Sequence, residues 1–213
     1  MKQLGIVGGI LALIAAVGAG LLAGTKEVTD PVIRANLQAD RLKQLNELIP
    51  ENRFDNELLR DTREVTDAAY LGTSKAVTVY RARKAGEPVA VAFRTIAPDG
   101  YNGRIELLVA IWSDGDLAGV RAINHAETPG LGDQIETAKN DWITQFAGHS
   151  LGSPPPEDWK VKKDGGAFDE ITGATITSRA VVKAVRRALK FYELRGTEAL
   201  FARSGGASGE KSG

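Results

Sequence analysis

Apolar and polar positions change their period twice along this chain. Gly5 to Gly24, GIVGGILALIAAVGAGLLAG, is twenty residues without a polar side chain. As a helix it extends about 30 Å, the thickness of a bilayer's hydrocarbon core. A signal-peptide core is shorter, about 7–15 apolar residues, so the run predicts a retained transmembrane anchor over residues 1–27. Lys2 precedes the span, whereas Lys26 beyond it is offset by Glu27 and Asp30. That asymmetry keeps the start of the chain in the cytoplasm and the remainder outside it. In a Gram-negative bacterium the location is the inner membrane, with a single pass and a periplasmic C-terminal domain.

Residues 28–72 read as a linking helix and connector. Asp30 is a helix cap and Pro31 suits the first helical position. Ile33, Leu37, Leu45, Leu48 and Ile49 then recur at helical spacing until Pro50 stops them. Glu51–Leu71 is polar and weakly patterned, and no site is assigned there.

From Ala76 the period becomes that of strands. Ala76–Arg83, Pro88–Ile96, Arg104–Trp112 and Leu117–Asn124 are rich in Val and Ile and are separated by turn sequences. Those turns are Lys84–Glu87, Pro98-Asp99-Gly100 and Ser113–Asp116, which supply the Gly, Asp and Pro that reversals need. Four successive strands predict an antiparallel meander. Asp141–Phe146 reads as a short helical turn packing Trp142 and Phe146 into the core, and Trp159–Lys163 as a further strand. Val181, Val182, Val185, Ala188, Leu189 and Tyr192 line one face of a helix beginning near Ser178 and stopped by Gly196. That helix is the simplest cover for one face of the sheet. The fold class is α+β, with a domain over 73–203 and a disordered tail over 204–213, where apolar residues are scarce.

Composition narrows the chemistry. Lys and Arg total 27, as do Asp and Glu, so the neutral chain lacks the charge for a nucleic-acid partner. Cysteine is absent, which removes disulfides, iron–sulfur clusters and thiol catalysis. His125 and His149 alone suggest no metal site. No general base or nucleophile–base pair is legible, so no catalytic residue is assigned. Any redox chemistry therefore falls to an organic cofactor.

The candidate stretch is Asp169-Glu-Ile-Thr172-Gly173-Ala174-Thr175-Ile-Thr177-Ser178. Its plain reading is a cap, with Thr177 or Ser178 accepting hydrogen bonds from the free N–H groups of the following helix. Its sharper reading is a phosphate site, since those N–H groups and the helix dipole favour an anion. Residue types alone do not choose between them. The motif resembles the Asp-x-x-(Ser/Thr)-Gly-Ala-Thr signature of proteins that carry FMN esterified through its phosphate to the threonine ending the triplet. Glu127-Thr128-Pro129-Gly130-Leu131-Gly132 resembles the same family's other flavin-site loop, in the same order.

With the N-terminal span, the chain resembles the G subunit of the Rnf (Rsx) electron-transport complex. The C subunit of the sodium-translocating NADH:quinone oxidoreductase is a relative and the alternative, although it is generally longer. The resemblance implies one covalent FMN on Thr175, and a magnesium-dependent flavin transferase that recognises Asp169, Thr172, Gly173 and Ala174. It implies contacts to the flavin from Glu127, Thr128, Gly130, Leu131 and Gly132. Thr177 stands as helix cap or as donor to the ester phosphate, and Glu127 either touches the flavin or holds its loop in shape. The implied partners are the other membrane and redox subunits of a complex that moves electrons between ferredoxin and NAD and translocates ions. A contrasting reading is a tethered, cofactor-free interaction domain outside the cytoplasm.

Overall fold

The computed structural model describes residues 2–202. Most side chains before residue 35 lie outside the described residues, as does the tail expected over 204–213. The chain forms two units, Met1–Lys43 and a second that begins at Gln44.

The first unit consists of the helix α1 (Lys2–Leu48), whose last residues belong to the second. It runs through Asp30 and Pro31 without a break, so the helix start expected at Asp30 does not occur. An interior proline costs about 3 kcal/mol, which the cooperative hydrogen-bond ladder on either side absorbs. Among the described residues no helix is long and apolar enough to cross a membrane. The expected span Gly5–Gly24 lies within α1, with most of its side chains outside the described residues.

The second unit is built on an antiparallel sheet of five strands in sequential order. They are β1 (Thr62–Val65), β2 (Val77–Lys84), β3 (Glu87–Gly100), β4 (Gly103–Trp112) and β5 (Leu117–Asn124). The last four match the expected meander. A short helix, α2 (Ala68–Leu71), connects β1 to β2.

Alternation sorts the strand residues between two layers. Val79, Phe93, Val109 and Val120 face one another in a single row across β2 to β5. They lie in the larger core, under α3 (Thr175–Phe201). Phe93 meets Phe191 of α3 edge to face, with ring centroids 5.3 Å apart. The opposite row, Tyr80, Ala92, Ala110 and Gly119, is dominated by small residues. There Leu45, Leu48 and Ile49 pack against Ala82, Ala90, Ala92 and Ala110. A Cβ added at Gly119 would stand 2.8 Å from Leu48 Cδ2. With both faces covered, β4 is buried over Ile105–Ile111 and β3 over Ala90–Phe93.

Gly196 interrupts α3 with φ 73° and ψ 152°, so the expected stop is a break, after which one more turn buries Leu200 and Phe201. Arginines from the sheet take up the carbonyls left free at that end. Arg81 Nη1 donates to Ala202 O over 2.9 Å and Arg83 Nη2 to Phe201 O over 2.6 Å. Asp61 holds both guanidinium groups, at 2.5 and 2.8 Å.

Two further expectations need correction. The weakly patterned segment before Leu71 contains β1, which β2 completes through the register Thr62↔Tyr80 to Val65↔Val77. Trp159–Lys163 is not a strand. Val161 forms one parallel bridge to Phe168, and Lys162–Asp164 is a single 3-10 turn. Its apolar residues, Trp159 and Val161, are buried by loop packing rather than by a neighbouring strand. The turn at Trp142–Phe146 is present as 3-10 helix, and Trp142, Phe146, Phe168 and Trp159 form a connected aromatic cluster.

Candidate functional site

Two segments far apart in sequence meet at one end of the sheet: the loop following β5 and the first turn of α3. Thr177 Oγ1 donates to Glu127 Oε2 over 2.5 Å, with both residues buried. The other carboxylate oxygen accepts the Asn102 N–H at 3.2 Å, while Asn102 Nδ2 donates to Thr128 Oγ1 at 3.1 Å. The β3–β4 turn thus joins the same assembly. Glu127 is closely fitted. Added Cβ atoms at Gly100 and Gly132 would stand 2.7 and 2.6 Å from its carboxylate oxygens. Its role as a brace, one of the two expected for it, is visible in these contacts.

The loop is secured on its far side as well. The Glu127 N–H donates to His125 Nδ1 at 3.2 Å, and His125 Nε2 faces Glu136 Oε1 at 3.1 Å. Lys139 Nζ bridges Asp133 and Glu136 at 2.8 and 2.9 Å. The hydrogen bond from Lys139 holds the Asp133 carboxyl below the usual carboxylate range, and reciprocally the ammonium pKa is raised.

Before α3 the chain turns at Ile171–Ala174, where the Ala174 N–H donates to Ile171 O at 2.9 Å. Gly173 takes φ 80°, and a side chain there would also press on Leu131 Cδ2 at 3.1 Å. Ser178 Oγ accepts the Ile171 N–H at 3.0 Å and donates to Ala174 O at 3.1 Å. The helix therefore starts at Thr175, three residues earlier than expected, and neither Thr177 nor Ser178 caps it. Ala174 occupies the cap position and makes no side-chain capping bond. Within the helix the Ser178 N–H reaches Ala174 O at 3.0 Å. The N–H groups of Thr175, Ile176 and Thr177 have no acceptor among the described residues.

Between these segments lies an open cavity of about 440 Å³, within the range of cofactor sites. Glu127, Thr128, Leu131, Gly132, Gly173, Ala174, Thr175 and Thr177 all line it. Thr172 and Gly130 do not. Thr172 is exposed on the turn, and Gly130, at φ 77°, shapes the loop while its carbonyl accepts Gln134 Nε2 at 3.0 Å. Asp169 is also outside the cavity. Its carboxylate is exposed and paired with Lys162 Nζ at 2.6 Å, and its carbonyl accepts Trp142 Nε1 at 2.7 Å.

Sequence reasoning missed Tyr101, Ile176 and Lys163 as lining residues. Tyr101 and Ile176 are exposed large apolar side chains. The one available signal was an aromatic ring at the tip of a Gly-flanked turn.

These residues suit FMN. Uncapped N–H groups at a helix start and a lysine answer a phosphate, and Tyr101, Leu131 and Ile176 offer apolar surface to a flat ring. Gly132 and Gly173 leave space that side chains would fill. Thr175, half-buried at the first helical position, has no side-chain hydrogen bond among the described residues, whereas the Thr177 hydroxyl is engaged with Glu127.

The domain is of the FMN-binding class. The family model described as the FMN-binding domain matches residues 100–190, which contain both halves of the cavity. The particular family follows from close relatives. Proteins named as the G subunit of the ion-translocating oxidoreductase complex include one from Shewanella baltica, 46% identical over 185 residues, 87% of each chain. Those of Shewanella oneidensis and Pseudoalteromonas atlantica are 48% and 45% identical, over 86% of each chain and over 96% of this chain and 95% of that one. A model of the RnfG N-terminal region matches residues 2–48, the extent of α1. The chain belongs to the family of G subunits of ion-translocating oxidoreductase complexes. Among solved structures, NqrC of Shewanella oneidensis aligns over 71% of each chain at 22% identity, with a TM-score of 0.41, too low to bear on the assignment.

Proposed function

We propose that this chain is the covalent flavoprotein subunit of an Rnf-type complex, with one FMN esterified to Thr175 and electrons passing through it between partner subunits. Bound FMN supplies one- and two-electron redox chemistry. The chain's own residues hold and orient it. Thr175 would provide the ester oxygen, the uncapped N–H groups of the first helical turn would hold the phosphate, and Leu131, Ile176 and Tyr101 would offer apolar contact to the ring. Glu127 braces the loop through Thr177 and Asn102. The observation that carries this reading is a half-buried hydroxyl, not engaged by another side chain, at an uncapped helix start inside a domain of the FMN-binding family.

Attachment is a group transfer by a flavin transferase. The Thr175 Oγ1–P bond forms as the pyrophosphate bridge of FAD breaks, and AMP leaves with the bridging oxygen and takes up the hydroxyl proton. The exposed Asp169 carboxylate stands outside the cavity, as suits a residue read by that enzyme rather than by the flavin. α1 anchors the domain by a single pass through the inner membrane, with the domain on the periplasmic side. The remaining partners are the membrane and redox subunits of the complex.

Mass spectrometry of protein from its native membrane tests the assignment. The expected product is the chain plus one FMN less one water, localised to the peptide from Gly173 to Arg179, and it is absent from Thr175→Ala. A bare native chain, or an adduct retained by Thr175→Ala, overturns it.

A further inference from the structure

We infer that Lys163 is the counter-cation of the flavin phosphate and sets how readily the domain is loaded. This assignment rests on the FMN reading above and concerns the same cavity. Lys163 is the lysine that lines the cavity, together with Thr175 and the first turn of α3.

Two neighbouring cations are already engaged. Lys162 pairs with Asp169 at 2.6 Å, and Arg179 grips Asp164 through two bonds of 2.6 Å. That grip holds the Asp164 carboxyl below its ordinary range. Lys163 forms no ion pair among the described residues.

Its backbone is also fixed. Lys162 N–H donates to Phe168 O at 2.7 Å, and the N–H groups of Asp164 and Gly166 both donate to Val161 O. Gly165 closes the turn at φ 77°, and Gly166 passes so close to Lys160 that an added Cβ would overlap its carbonyl oxygen. The segment that resisted strand formation therefore acts as a rigid bracket. It holds Lys163, a lysine without an ion pair among the described residues, in the lining of a cavity that also contains the uncapped N–H groups. A phosphodiester carries a single negative charge. In this cavity the helix amides and Lys163 would answer it. Glu127, the carboxylate on the same wall, is turned into Thr177 and Asn102.

The test uses the full chain co-expressed with its flavin transferase, comparing wild type, Lys163→Met and Lys163→Arg. Two quantities are read: the initial rate of adduct formation by mass spectrometry, and the ³¹P resonance of the diester in the folded holoprotein. The expected result is a rate about tenfold lower in Lys163→Met, the scale of one charge-assisted hydrogen bond, a displaced ³¹P resonance, and recovery of both in Lys163→Arg. Equal rates and resonances in wild type and Lys163→Met overturn the assignment. So does equal loss in both variants, because the charge is then not what matters. A wild-type chain that acquires no adduct under these conditions instead overturns the underlying FMN reading, so the two failures are distinguishable.

Discussion

Thr177 Oγ1 and Glu127 Oε2 stand 2.5 Å apart in the buried wall of the cavity, joining the first turn of α3 to the loop that follows β5. The bond occupies one of two neighbouring threonine hydroxyls and leaves the other, Thr175, without a side-chain partner among the described residues. Thr177→Ala is therefore expected to keep the covalent flavin, seen as a fluorescent band in a denaturing gel. Removing a donor from a buried carboxylate costs about 1–3 kcal/mol, so the same variant should unfold at lower urea. Thr175→Ala should show the reverse, with stability near wild type and no band.

Gly132 is expected to tolerate no side chain. An alanine Cβ would lie 2.6 Å from Glu127 Oε2, 2.9 Å from Glu127 Cβ and 3.0 Å from Thr177 Oγ1. Overpacking of this kind costs about 1–3 kcal/mol. Urea unfolding of Gly132→Ala measures the cost, and Gly130→Ala, which is strained only by its positive φ, serves as comparison.

Arg81 anchors the far end of α3. Its guanidinium is buried, bonded to Asp61 at 2.5 Å and to the Ala202 carbonyl at 2.9 Å. Arg81→Ala leaves Asp61 to Arg83 and Asn56 and leaves the Ala202 carbonyl only the 3.4 Å bond from Arg63, a loss of about 3 kcal/mol for a broken buried pair. A lowered thermal midpoint with an intact flavin adduct is the expected signature.

The response to acid should pass through the loop. The Asp133 carboxyl is depressed in the folded state, chiefly by its hydrogen bond to Lys139. The stability this gives is fully present above the unfolded aspartate value of about 3.9, and it is lost as pH falls through the lower folded value. Lys139→Met removes the principal cause. Thermal midpoints measured from neutral pH down to pH 3 should therefore fall less steeply at the acid end in Lys139→Met than in wild type.

The strands β2 to β5 and the apolar face of α3 were legible because each repeats a period over eight or more residues. β1 was not, since Thr62–Val65 is a four-residue strand with no buried residue and exists through its pairing with β2. Trp159–Lys163 failed for the opposite reason. Its alternation is real, but it reflects burial in an aromatic cluster rather than a ladder of hydrogen bonds. At the site, the two motifs located eight of the cavity's lining residues. Tyr101 and Lys163 reach it from a hairpin tip and a 3-10 turn, and nothing in their local sequence states what faces them across space.

The Thr177–Glu127 bond closes a loop of fifty residues, and that loop includes the aromatic cluster and the bracket carrying Lys163. The cavity thus takes its walls from both ends of that loop, and a fragment that stops short of α3 lacks Thr175, Ile176 and Thr177 from its lining.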